Sequence, residues 1–172
     1  MNPYRQGDLD SLCGLYCVIN ALRFAALPAT KIGRAQSMAL IQHLAKALGP
    51  EFGELFVDGT NSVKRLLRAA DEWLQQTHGE RLIVSRPFRR VVPPSAEVIA
   101  QTISTHLADP RTAVIACNLV HWSVVERVTP KRLVLFDSSL HQYMKFEGKG
   151  RSAKDNNIIL PHKLLLLKVV TA

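Results

Sequence analysis

The sequence predicts an α+β protein, and three observations carry that expectation. Apolar residues recur at helical spacing up to residue 108, period-two alternation takes over from residue 112, and Asp109-Pro110 punctuates the change. The first helix is expected over residues 12–26, capped by Asp10 or Ser11 and ended by Pro28. Leu12, Leu15, Val18, Ile19, Leu22, Phe24 and Ala25 leave it apolar on nearly every side, which places it in the middle of a domain. A second helix, residues 30–48, carries Met38, Ile41, Leu44, Ala45 and Leu48 at helical spacing and stops at Gly49-Pro50. A third, residues 61–77, aligns Val63, Leu66, Leu67, Ala70 and Trp73 with Leu74 on one face. A short strand at 81–85 follows Gly79, the Pro-rich stretch 86–95 reads as loop, and Ser95 caps a fourth helix running to residue 108.

Strands are then expected at 112–117, 121–128, 132–136, 142–146 and from 158 or 164 to 170, with Thr129-Pro130-Lys131 as a hairpin turn. Residues 148–157 are polar and Gly-containing, a surface loop. The expected arrangement is one domain, residues 1–172, with N-terminal helices packed on a C-terminal antiparallel sheet.

Composition narrows the class. A chain of 172 residues, 47% hydrophobic and 21% charged, can bury a sizeable core and does not have the make-up of a disordered protein. No apolar run approaches the roughly 20 residues that span a bilayer. The N-terminus lacks the basic, apolar and small-residue succession of a secretory signal, so a cytoplasmic location, or delivery into a target cell by a signal-independent route, is expected. Three cysteines cannot complete a disulfide framework and fit free thiols. No CxxC or HxxxH spacing supports a zinc site, so neither a metal nor another cofactor is expected. The net charge of +8 is scattered over Arg65, Arg68, Arg86, Arg89, Arg90 and the 145–154 stretch without a nucleic-acid motif, which reads as a basic surface rather than a nucleic-acid interface.

The residues that carry chemistry begin with Cys13. It falls in the first turn of the apolar helix, where unpaired backbone N–H groups and the helix dipole stabilise a thiolate, and Gly14 after it leaves room for a substrate backbone. His121 opens an alternating strand, and the strand after the turn ends in Asp137. An antiparallel hairpin of this length sets the start of its first strand beside the end of its second, so the Asp137 carboxylate reaches one imidazole nitrogen and leaves the other facing outward. Gln6, a neutral amide shortly before the cysteine, supplies a donor that shares a developing oxyanion with the Cys13 backbone N–H.

The run from Gln6 through Asp10, Ser11, Leu12, Cys13, Gly14 and Leu15, followed downstream by His121-Trp122-Ser123-Val124-Val125 and Leu133-Val134-Leu135-Phe136-Asp137, resembles the papain-like cysteine peptidases. It is most similar to their compact bacterial branch, the leader-processing (double-glycine) peptidase domains of peptide-exporting ABC transporters. The resemblance covers the first 25 or so residues and about 30 around the hairpin, and leaves the stretch from Pro28 to Pro110 unmatched. It implies a papain-like fold, with Cys13 as nucleophile, His121 as general base and acid, Asp137 as orienter and Gln6 as oxyanion donor. Gln6 stands one residue further from the cysteine than the family spacing, so the intervening loop must bulge. No membrane or ATPase segment follows, which points to a free-standing enzyme.

The expected function is therefore a cysteine peptidase or related thiol hydrolase that cuts an amide or isopeptide bond of a protein or peptide through an acyl-enzyme. Glutamine deamidation or acyl transfer to an amine, as in effector toxins or arylamine acetyltransferase-like enzymes, is the alternative within the fold. A non-catalytic binding module is the alternative outside it. Cys17, one turn after Cys13, and Cys117, in an apolar strand, read as core residues; His43, His78, His106 and His162 read as surface or structural. His141 follows the Asp137 turn and lies in reach of the site, Asn118 and Trp122 are candidates to line the cleft, and Ser138 and Ser139 are expected to satisfy the backbone around Asp137.

Overall fold

The structure, a computed structural model, describes residues 3–4, 12–25, 32–50, 52, 63–89, 94–137, 141–146 and 157–172. Among these residues the chain forms four helices and a six-stranded antiparallel sheet, an α+β architecture. Helix α1 (Cys13–Ala25) buries nearly every side, as its composition requires, and packs on the middle of the sheet. Asp10, Ser11 and Pro28, its expected cap and stop, lie outside the described residues.

Helix α2 (Arg34–Leu48) buries Ser37, Leu40, Leu44 and Leu48, whereas Met38 is half exposed. The expected apolar face was thus rotated. Leu40, Leu44 and Leu48 form an unbroken i, i+4 stripe, and Ser37 joins them because its hydroxyl donates to the Gly33 carbonyl at 2.9 Å. Gln36 returns its side-chain oxygen to the Gly33 N–H at 3.1 Å, and Gly49, at φ +57°, closes the helix. Helix α3 (Val63–His78) buries the expected face of Val63, Leu66, Leu67, Ala70, Trp73 and Leu74. Gly79, at φ +64°, turns the chain into β1 (Glu80–Ser85). The Ser95 side chain accepts from the Val98 N–H at 3.3 Å and caps α4 (Ala96–Leu107).

The remaining strands are β2 (Thr112–Cys117), β3 (Trp122–Val128), β4 (Arg132–Phe136), β5 (Tyr143–Lys145) and β6 (Leu165–Thr171). The last begins at Leu165: Pro161 at the head of a 3-10 turn, Pro161–Lys163, breaks any earlier start, and Ile158 makes only an isolated bridge to Lys145. The strand order is β1-β6-β2-β3-β4-β5. Two points modify the expected arrangement of helices on a C-terminal sheet. β1, from the middle of the chain, completes the sheet at the edge of β6. In addition, α1, α2 and α3 share a core with one sheet face, through Ile115, Val124, Phe136 and Leu167, while α4 covers the other, through Val114, Val125, Leu133 and Leu166. Burial of all six residues of β2 follows from this covering of both faces. No helix among the described residues is long and apolar enough to cross a membrane.

Candidate active site

The Leu12 carbonyl accepts the first intrahelical bond, from Tyr16 N–H at 3.0 Å, so Cys13 occupies the first position of α1. It is partly exposed, whereas Cys17 and Cys117 are buried. All three thiols are free. The position of α1 against β2 and β3 brings the head of the helix to the end of the sheet from which the β2–β3 turn emerges.

That turn comprises residues 118–121. His121, expected to open the strand, instead ends the turn, and β3 starts at Trp122, paired with Cys117. The cause is Asn118. Its buried side-chain oxygen accepts from the N–H groups of Val120 (2.9 Å) and His121 (2.7 Å), and its own N–H donates to the His121 carbonyl at 3.1 Å. These bonds replace the ladder with a closed turn and fix the backbone that carries the imidazole.

The β3–β4 hairpin performs the juxtaposition that its length implied. Val124 faces Phe136, so one step further the register sets Ser123 opposite Asp137. His121 Nε2 meets Asp137 Oδ2 at 2.8 Å, and both side chains are buried. The Ser123 hydroxyl donates to the same oxygen, and the His141 N–H donates to Oδ1 at 3.3 Å. With Nε2 engaged, Nδ1 is left for the hydrogen bond between the imidazole and Cys13. The His141 ring stands 4.7 Å from the His121 ring, centroid to centroid, and inclined by 41°.

Electrostatics separate the three thiols. Burial opposes ionisation of Cys13, but hydrogen bonds from His121 and the Trp122 N–H, the His121 charge and the Gly14 N–H together hold it below the ordinary thiol value. Burial drives Cys17 well above that value, with the charge of Asp137 adding to it, and burial pushes Cys117 up to about 12. Burial also opposes a charge on His121, yet the hydrogen bonds and charges of Asp137 and Cys13 raise it to about 9. The thiolate of Cys13 and the imidazolium of His121 are thus each favoured over their forms in an isolated thiol and imidazole, whereas Cys17 and Cys117 are held as thiols. Such a pair holds a nucleophile and an acid in one contact.

Cys13, His121 and Asp137 come together; Gln6 lies outside the described residues, as do Ser138 and Ser139. The segment leading towards Gln6 is nevertheless anchored. Fully buried Asn20 of α1 accepts from the Tyr4 N–H at 2.9 Å and donates to the Tyr4 carbonyl at 3.1 Å, while the Arg23 guanidinium covers the Tyr4 ring at 4.0 Å. Replacing Asn20 by alanine strands both backbone groups, and a loss of about 1–3 kcal/mol in chemical denaturation is expected. His106 is structural, its Nε2 lying 2.8 Å from the Leu167 carbonyl. Ser123, Asn118 as a brace and the Trp122 N–H were not assigned these roles from sequence. Ser123 was within reach, because hairpin register places it opposite Asp137; the other two depend on how the turn closes.

Among the described residues no three His, Cys, Asp or Glu side chains are placed to share a metal ion. A scan against protein-family models finds no match to the chain, and a search of curated proteins finds none either.

Proposed function

We propose that the protein is a cysteine hydrolase of papain-like fold that cuts amide or isopeptide bonds in a protein or peptide. The observation that carries this reading is the chain of contacts from the Cys13 sulfur at a helix N-terminus, through the His121 ring, to the Asp137 carboxylate. In the proposed cycle the Cys13 thiolate attacks the carbonyl carbon. Backbone N–H at Cys13 and the Gln6 amide, as the papain-like resemblance assigns it, hold the oxyanion. His121 gives its proton to the leaving amine as the C–N bond breaks, leaving a thioester on Cys13. Neutral His121 then takes a proton from water, whose oxygen attacks the thioester and releases the acid.

A selectively lowered Cys13 pKa favours this reading over a binding module, which has no use for a thiolate. The test is incubation of a proteome with wild type and with Cys13→Ala, followed by mass spectrometry. New termini or released isopeptide-linked chains, seen with wild type alone, are expected. A mass gain of about one unit on glutamine would move the assignment to deamidation, and a larger adduct to acyl transfer. Identical proteomes would contradict a hydrolase.

A further inference from the structure

We propose that Leu119 and Val120 form an apolar subsite beside the nucleophile, and that the substrate carries a bulky aliphatic or aromatic group next to the bond that is cut; this rests on the hydrolase reading of Cys13 and His121. At 65% exposure each, they are the most exposed large hydrophobic side chains among the described residues, ahead of Ile83 at 54% and Met38 at 50%. They are also consecutive. The other consecutive exposed pair, Ile83 and Val84, lies on edge strand β1, separated from β2 by β6, whereas Leu119 and Val120 adjoin His121.

The backbone holds them there. The Val120 and His121 N–H groups both end on the Asn118 side-chain oxygen, Asn118 itself is buried, and its N–H is tied to the His121 carbonyl. The same bonds that set the imidazole in place therefore display Leu119 and Val120 to solvent. Their position is the second observation. His121, the next residue, hydrogen-bonds the Cys13 sulfur, so a substrate carbonyl engaged by these two groups approaches the turn that carries the pair. A substrate group packed against that turn removes the two side chains from water, the ordinary driving force for apolar recognition.

The test compares alkylation of Cys13 by iodoacetamide and by N-benzyl iodoacetamide, each rate divided by that for glutathione. In both reactions the thiolate forms a C–S bond as the C–I bond breaks and iodide leaves, so the probes differ in their apolar group alone. Wild type should favour the benzyl probe by about tenfold, in the range by which apolar pockets discriminate. Leu119→Ser with Val120→Ser should bring that preference down to the glutathione ratio, whereas Leu119→Met with Val120→Ile should keep it. A preference absent from wild type, or unmoved by the serine pair, overturns the subsite while Cys13 still outpaces Cys17 and Cys117 with iodoacetamide. A Cys13 that reacts no faster than those two overturns the hydrolase reading and the subsite with it.

Discussion

At about pH 6, His121→Ala is expected to slow alkylation of Cys13 by iodoacetamide by up to about tenfold. An unperturbed thiol, with a pKa of about 8.5, is only ~0.3% ionised at that pH. In the native protein the imidazolium and its hydrogen bond overcome the opposing effect of burial at Cys13. Alanine removes both and leaves burial opposed by the Trp122 and Gly14 N–H groups alone, so the thiolate population falls towards the unperturbed level. The rate loss is smaller than the population change alone would give, because a less stabilised thiolate is intrinsically more nucleophilic. Mass spectrometry of the Cys13 peptide against time measures the effect directly. An unchanged rate would mean that the sulfur owes its ionisation to something other than His121.

Asp137→Asn should have the second large effect, on turnover and on stability together. In serine hydrolases loss of the orienting carboxylate costs about 10⁴ in turnover; a loss of about 10²–10⁴ is expected here, since Cys13 and His121 still stabilise one another. The stability effect has a defined pH dependence. His121 is raised to about 9 in the folded protein, against about 6.5 in an unfolded chain. A raised histidine contributes stability that is complete below about pH 6.5 and is lost as pH rises through about 9, and a shift of this size corresponds to about 3 kcal/mol. Asparagine cannot hold the imidazolium with a charge. The gap between wild type and variant in urea denaturation should therefore be widest near pH 6, at about 2–3 kcal/mol, and should narrow towards about pH 9. A gap that is constant with pH would assign Asp137 a packing role.

The convergence of Cys13, His121 and Asp137 in the candidate site was legible because it rests on local rules. Cys13 stands at the head of an apolar helix, and helix ends are readable from spacing. His121 and Asp137 flank a hairpin whose register follows from its length. The position of His121 was misread by one residue because Asn118 caps the turn through its side chain, a choice that alternation alone does not reveal. Met38 was misplaced for a related reason: in α2 a serine bonded to its own helix backbone takes a core position that polarity would deny it. The pairing of β1 with β6 and the covering of the second sheet face by α4 are contacts between segments distant in sequence, so periodicity within a window cannot report them.

An ultraviolet titration of the thiolate, wild type minus Cys13→Ser, from about pH 4 to about pH 10, tests the ion pair most directly. One sulfur's worth of absorbance should appear below the ordinary thiol range and be missing from the serine variant. A difference signal that rises only at or above about pH 8.5 would show that Cys13 rests as a neutral thiol, and the proposed chemistry would lose its nucleophile.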